Sequence, residues 1–564
     1  MMSEEPCHYT NTHGKQVCRS PIWSGSDHRF CLLHDPSPLK PEEEALQLLK
    51  KKIEAGDLNF EGSIFHGPVN LRDVVFLEFA NFENCQFLGR ETSFYKASFK
   101  KGVLFNQAVF RGSRVTFSRA QLSGDFNLFN NASFEATETH FNAAVFSGKH
   151  VGFASAVFSG NRLDFEGASF EGTVFFNRCE FRSHLSIFEK MQFHGQSISF
   201  SHSRFQGKEV KFSGALLTGE QADFSHCHFE SDHTLFENCR FQSKKILFSN
   251  SFFKGRKVSF IQSEIDFEQL LFLHSYFNGR EIDFSEVIFR GGTADFSNSH
   301  FEATSLKLYP IHLNNSTTRF TQSEFSGDEK AFYILNPQKN DLSFQGVFFH
   351  GGRTKLKGDL HAVSFIDTSL DNVDLNEAGW ETVSGRLMCR DEIDANRANT
   401  TGHLRKAVDV CRNIKKCYES FGSYETAGDF YYGEMECRRK LSPKKNWGGL
   451  QFMRLTSGYG ESPIRVIFTS VFVMFGCAFL YLLGGVNTPE GVIKLDSVSE
   501  LSQFSKIIHD LLNCIYFSVV SFTTLGYGDY HPVGWSRVVG ASEGFIGAFF
   551  MAMFVLTVGR KMNR

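Results

Sequence analysis

Residues 82–112 read FENCQFLGRETSFYKASFKKGVLFNQAVFRG. Phe82, Phe94 and Phe105 stand twelve and eleven residues apart, and five residues after each comes a second phenylalanine: Phe87, Phe99 and Phe110. Continued to Phe296 with one further step of eleven and the rest of twelve, the walk lands on phenylalanine every time. The second position of each pair stays apolar, with Leu122, Leu217 and Ile265 as the exceptions to phenylalanine. A small residue follows the first ring by three in most units, as at Ala97, Ala108, Ala120, Ala156, Cys227 and Ser251. Glycine often follows the second ring by two, as at Gly112, Gly148, Gly207 and Gly279. The unit is F-x-x-[AS]-x-F-x-G-x-x-[VI]-x.

A helix repeats its apolar positions at steps of three and four, and a half-buried strand at steps of two. Steps of five and seven fit neither. They fit a chain that turns a corner after each short face, with large side chains stacked inside and small ones at the tight inner positions. Composition agrees: 65 Phe against 14 Tyr and 4 Trp mark one slot filled over and over, not a mixed core.

The pattern resembles the pentapeptide-repeat family, whose A-[DN]-[LF]-x-x units wind into a right-handed four-sided β-helix. Here each pair of pentapeptides carries two extra residues, so the resemblance implies about 24 residues per coil instead of about 20, with ordinary spacing returning at Phe365, Leu370 and Leu375. Residues 60–380 then make roughly a dozen coils, a rod on the order of 55–60 Å at about 4.8 Å per strand. Cys85, Cys179, Cys227 and Cys239 fall in the small slot and read as structural. Members of the family that mimic DNA are strongly acidic. This stretch is only slightly so, and the whole chain balances 59 basic against 62 acidic residues, so no nucleic-acid partner is expected.

Amino-terminal to the repeat, residues 39–59 hold a short amphipathic helix at 42–55, acidic first and lysine-rich last, with Gly56 as its stop. Residues 1–38 form a separate small module. Cys7, Cys18, Cys31 and His34 make a complete tetrahedral set for zinc, in a fragment too small to bury a core of its own. His8, His13 and His28 compete for the fourth place. The start of the chain has no apolar stretch of the signal-peptide kind, which places this body in the cytosol with its thiols reduced.

Carboxy-terminal to the repeat the phenylalanine ladder stops. Residues 381–460 read as a helical linker: HLRKAVDVCRNIKKCYESFG and SYETAGDFYYGEMECRRKL as a hairpin ending before Pro443, then Trp447, Phe452 and Met453 among Lys444, Lys445 and Arg454 as a segment lying on membrane lipid, with a soluble hairpin packed on the rod end as the plainer alternative. Residues 461–564 contain two apolar runs, 464–483 and 538–558, each long enough to cross roughly 30 Å of hydrocarbon. Basic residues before the first (Lys444, Lys445, Arg454, Arg465) and after the second (Arg560, Lys561, Arg564) put both termini in the cytoplasm of a cell-membrane protein. Between the runs, a short helix expected at 511–523 leads into Thr523-Thr524-Leu525-Gly526-Tyr527-Gly528-Asp529. Non-helical backbone at membrane depth is tolerated only beside protein or a water-filled path, and Gly526 and Gly528 permit a backbone whose carbonyls all point one way.

This tail resembles the two-transmembrane potassium channel family, whose filter is the TVGYG loop; TLGYGD differs by Leu for Val. The resemblance covers about 460–564. It implies K+ as the permeant ion, carbonyl ligands from Thr524, Leu525, Gly526 and Tyr527, completion of the filter 524–529 by Gly528 and Asp529, and support by Thr523 and Tyr516. It also implies a gating hinge in the second span at Gly547, with Gly544 as competitor, and a homotetramer, since each chain brings one filter strand. Glu543, a carboxyl inside a span, marks a candidate functional position: it either supports the filter from behind or simply reaches the headgroups. The fold class is therefore multidomain: a cytosolic β-helix plus an all-α pore domain. The chain carries no nucleophile elbow, P-loop or paired-carboxylate site, so an enzyme is not expected. The β-helix regulates or scaffolds the pore, and the sequence leaves its cytosolic partner or ligand unidentified.

Overall fold

The computed structural model describes residues 2–11, 14–16, 18–314, 316–335, 342–495 and 504–562. His13 and Arg564, which the sequence singled out, lie outside them, as do the side chains of Lys444, Lys445 and Lys561. The chain divides into two compact units, Met1–Trp380 and Glu381–Arg564.

The first unit is a β-solenoid of about 13 turns over 64–379. Its strands pair in parallel with the coils before and after. The offset between paired residues is 22 at Phe65 and Phe87, 23 at Phe76 and Phe99, and 24 at Phe205 and Phe229. It falls to 19 at Thr354 and Val373 and to 20 at Gly358 and Ala378, where ordinary pentapeptide spacing returns.

Inside run four columns of rings. Phe82 stacks on Phe105 at 5.0 Å, Phe94 on Phe117 at 4.7 Å, Phe87 on Phe110 at 4.9 Å and Phe76 on Phe99 at 4.5 Å, each pair within 9° of parallel. Neighbouring columns meet edge to face, as Phe94 meets Phe105 at 5.3 Å and 81°, the geometry the ring quadrupole prefers. Steps of twelve alternate between two columns, which is why a coil is two steps. Leu122, Leu217 and Ile265 all fall in the column of Phe76 and Phe99, where each is in register with a phenylalanine on the coil before and after.

Each ladder phenylalanine is followed by a turn. The Ala97 N–H donates to the Phe94 carbonyl at 3.0 Å, and Lys96, the second of the two residues between them, has φ +55°. The left-handed residue recurs two places after nearly every ladder ring, as at Asn84, Gln107, Arg119 and Asn131. A non-glycine residue there costs about 1 kcal/mol or more, and persists only where the surroundings over-determine it. Stacking does so: Lys96 N–H donates to the Ser118 carbonyl of the next coil at 3.0 Å. The buried small slot carries a second ladder. Ser251 Oγ donates to the Phe224 carbonyl at 2.7 Å and accepts from the Cys227 N–H at 3.2 Å. Cys227 Sγ in turn donates to the Phe200 carbonyl at 3.0 Å, and burial pushes its thiol well above the usual range. Gly195 sits at a close approach of two coils, since a β-carbon on it would lie 2.2 Å from the Gly172 carbonyl oxygen.

At the amino-terminal end, helix α1 (Glu42–Glu54) buries Ala45 and Leu49. A short antiparallel pair, Met2–Pro6 with Pro21–Trp23, precedes it.

The second unit begins with a β-hairpin, Glu381–Val383 with Arg386–Met388, which the sequence did not suggest. Helices α2 (Arg390–Ala398), α3 (Thr401–Ser420) and α4 (Tyr424–Leu441) follow, with α3 and α4 packed as the expected hairpin around Ala395, Leu404, Ala407, Val408 and Cys437. Next come α5 (Lys444–Ser457), α6 (Pro463–Gly484), α7 (Phe504–Phe522) and α8 (Ser536–Met562). Among the described residues, α6 and Ser536–Arg560 of α8 are the helices long and apolar enough to cross a bilayer. The Ser462 hydroxyl accepts the Arg465 N–H to cap α6, with Pro463 in its first turn. Helix α7 is longer than the 511–523 expected from sequence: Lys506, His509 and Asp510 break the apolar run but not the helix. A three-stranded sheet, Gly491–Ile493, Val486–Thr488 and His531–Pro532, joins the carboxyl end of α6 to the amino end of α8.

Candidate functional site

Helix α7 ends at Phe522, and the TLGYGD segment leaves its last turn. Thr523 Oγ1 donates back to the Val519 carbonyl at 2.6 Å, and the Leu525 N–H to the Val520 carbonyl at 3.1 Å. Helical hydrogen bonding thus closes on the loop, and the partial negative charge of the helix end falls beside it. Thr524, Gly526 and Gly528 have φ of +57°, +57° and +78°, while Leu525 and Tyr527 between them do not. Alternation of hand from residue to residue turns successive carbonyls toward the same side, the backbone a ladder of oxygen ligands requires. The sequence pointed to the two glycines; the alternation begins one step earlier, at a threonine.

Behind the loop, Tyr516 on α7 donates its hydroxyl to Asp529 Oδ2 at 2.9 Å, and Tyr530 packs on Tyr516 with ring centroids 5.1 Å apart. Tyr530 also donates to Asn513 Oδ1 at 3.3 Å. The strand after the glycines is thereby tied to the helix before them.

Glu543 on α8 is fully buried. Tyr481 on α6 donates to its Oε2 at 2.5 Å, and Ser518 on α7 lies in hydrogen-bond contact with Oε1. The Ser518 hydroxyl also reaches the Met474 carbonyl of α6 at 2.8 Å. One carboxyl therefore joins all three helices. Its partners were not legible in the sequence, because Tyr481 lies 62 residues away. Nearby, Tyr481 and Phe517 pack with Ala478, Leu482, Val486 and Cys514, and Val466, Phe522 and Phe550 form a second cluster toward the other end.

The two glycines of α8 differ. A β-carbon on Gly547 would stand 2.0 Å from the Phe522 carbonyl oxygen, whereas one on Gly544 would meet nothing nearer than the Ser521 oxygen at 3.8 Å.

In the first unit, Cys7, Cys18, Cys31 and His34 are brought together and buried, with one ligand atom from each lying within 4.8 Å of the others. Cys18 Sγ is 3.7 Å from Cys31 Sγ; His34 Nδ1 is 3.5 Å from Cys7 Sγ and 3.1 Å from Cys31 Sγ. His8 and His28, the competing imidazoles, are exposed. The cluster can hold a metal ion.

A second buried group, Cys389, Glu392 and Cys411, was not singled out from the sequence. Cys389 and Cys411 have sulfurs 3.9 Å apart, and Arg386 pairs with the Glu392 carboxylate. With the Glu392 carboxylate met by the Arg386 guanidinium, this group anchors the β-hairpin on α2.

Residues 468–564 match the sequence profile of the family described as ion channel, and residues 60–106 match that of pentapeptide repeats. No curated protein and no solved structure matches the chain.

Proposed function

We propose that this chain, an ion channel domain joined to a pentapeptide-repeat solenoid, is one subunit of a potassium-selective homotetramer. The observation that carries the reading is the alternating backbone at Thr524, Gly526 and Gly528, set directly after the carboxyl end of α7. Four copies around an axis supply rings of oxygens from Thr524, Leu525, Gly526 and Tyr527 that replace the water shell of K+. Gly528 gives the last left-handed step. Asp529, held by Tyr516, fixes the outer mouth, and Glu543 braces α7 from behind. Conduction is passive, with no catalytic chemistry. The chain lies in the cell membrane with α6 and α8 crossing it, both termini and the solenoid in the cytoplasm, and α5 on the lipid surface through Trp447, Phe452 and Met453, all of which are exposed. The solenoid regulates or scaffolds the pore. Zinc at the Cys3His cluster belongs to the same reading as a structural ion without a part in conduction.

Full-length protein in liposomes tests the pore. Potassium flux that sodium cannot replace is expected, and Tyr527→Asp should weaken that preference. Equal permeability to both ions in the unmutated protein would overturn the selectivity, and no flux at all would leave a membrane-anchored interaction protein.

A further inference from the structure

We propose that zinc bound by Cys7, Cys18, Cys31 and His34 is the fastener of a cap that closes the amino-terminal end of the solenoid. The proposal rests on the zinc reading above and assigns that ion a task.

The donor set favours zinc: three thiols and an imidazole suit a tetrahedral ion of borderline softness. With Zn–S near 2.3 Å, such an ion holds its ligand atoms roughly 3.5–3.8 Å apart. The separations of 3.7 Å between Cys18 and Cys31 and 3.5 Å between Cys7 and His34 match, and the 3.1 Å between Cys31 and His34 is a few tenths of an ångström short of it. The imidazole is already in the correct tautomer. His34 Nε2 lies 2.8 Å from the Glu61 carbonyl oxygen, which can only accept, so Nε2 carries the hydrogen and Nδ1 turns its lone pair toward the thiols. A backbone carbonyl on the far nitrogen is the usual outer partner of a metal-bound histidine. The Cys31 N–H points at Cys7 Sγ at 3.1 Å, and Tyr9 stacks flat on the His34 ring at 4.2 Å and 2°.

Glu61 belongs to the approach to the first coil, and this contact shows what the ion would fasten. A solenoid presents an open strand edge at its end, with unpaired N–H and C=O groups ready to join another chain. Here, among the described residues, the Ile64–Phe65 strand pairs with the next coil on one side only. On its other side the Ile64 N–H donates to the Leu33 carbonyl at 2.8 Å, one residue from the ligand His34. The Ile64 carbonyl accepts from Lys40 Nζ at 2.5 Å, and the same ammonium reaches the carbonyls of Asp35 at 2.8 Å and Leu33 at 3.3 Å. Lys40 is 3% exposed, a buried cation spent entirely on backbone oxygens of the metal loop and the coil edge. The Tyr9 ring lies so close over Gly62 that a β-carbon there would fall 2.0 Å from its hydroxyl. Among its described residues the segment 7–40 has no helix, and it has few apolar residues, so its own packing cannot hold it in place; metal binding supplies that free energy.

The test uses full-length protein in detergent, with metal content read by mass spectrometry and amide exchange followed peptide by peptide. About one zinc per chain is expected. Chelation should quicken exchange over 58–88 by roughly tenfold or more while leaving 204–253 unchanged, because the coil edge opens locally. Cys18→Ala should reproduce the chelated pattern, and Lys40→Met should keep the zinc yet quicken exchange at Ile64. One zinc per chain with exchange over 58–88 indifferent to its removal would overturn the cap and leave the zinc reading standing. Absence of stoichiometric metal would overturn both.

Discussion

Gly547 and Phe522 touch through backbone alone: the helix α8 glycine leaves room for the last carbonyl of α7, and a β-carbon would stand 2.0 Å from that oxygen. Helix α8 runs unbroken from Ser536 to Met562 through this point. The contact accounts for glycine at 547 without a bend, and it lies one residue before the loop begins. Gly547→Ala should therefore disturb the end of α7, at an overpacking cost of about 1–3 kcal/mol. We expect a large drop in potassium flux or in recovered tetramer from this variant, and little change from Gly544→Ala, where a methyl fits at 3.8 Å. Equal behaviour of the two variants would show that close approach is not what selects glycine at 547.

Glu543 should matter through hydrogen bonding more than through charge. Glu543→Gln keeps an oxygen for Tyr481 and is expected to assemble nearly as the parent does. Glu543→Leu strands the hydroxyls of Tyr481 and Ser518 and should cost about 1–3 kcal/mol. Thermal melting of the assembled protein reads the difference. A double-mutant cycle with Tyr481→Phe should show coupling, and strict additivity would dissociate the pair.

In the TLGYGD loop, backbone and side chain separate cleanly. Gly528→Ala forces a β-carbon onto a residue at φ +78° and should abolish current although nothing lies near it in the isolated chain. Leu525→Val changes only a side chain, and the potassium-to-sodium ratio should stay as it was. Reversal potentials in mixed solutions check both.

Asp164 gives the solenoid an acid-sensitive point. Burial would push its carboxyl up. Hydrogen bonding from His140, the guanidinium of Arg162 at 2.8 Å and the Glu166 N–H at 2.9 Å outweigh burial and hold it at about 2. A carboxyl whose folded pKa lies below its unfolded value contributes stability above the unfolded pKa and loses it as pH falls through the folded one. Local stability around 138–166 should thus fall between about pH 4 and pH 2. Asp164→Asn should remove on the order of 1 kcal/mol at neutral pH and flatten the acid limb. Exchange protection across a pH series measures it, and an unchanged acid limb in the variant would refute the assignment.

The ladder of rings was legible because each ring meets the same environment, so one residue type recurs at one spacing. The left-handed corners were not legible, although they recur as regularly. Their side chains face outward and the backbone strain is met by the coil above, so Asn84, Lys96, Gln107 and Arg119 share a conformation without sharing a chemistry. The Cys3His set was visible as a ligand inventory. Its choice of His34 over His8 and His28 depends on Glu61, whose contribution is a carbonyl every residue has. Helix α7 hid its first turns because Lys506 and His509 are polar, and composition reads burial before it reads helix. Glu543 stood out as a charge in an apolar run; what it holds could be seen only once α6 and α7 were folded against it.

Between Gln192 and Lys307 every neighbouring pair of strands is offset by the same 24 residues. A block of that length deleted or duplicated there would return each remaining residue to an equivalent partner, with the ring columns simply one storey shorter or taller. The same edit near Phe65, where the offset is 22, or near Thr354, where it is 19, would leave the strands at the junction out of step with the coil before them. The solenoid is thus adjustable in its middle and keyed at both ends. Its length can drift by whole coils over generations, while the fittings at either end stay fixed.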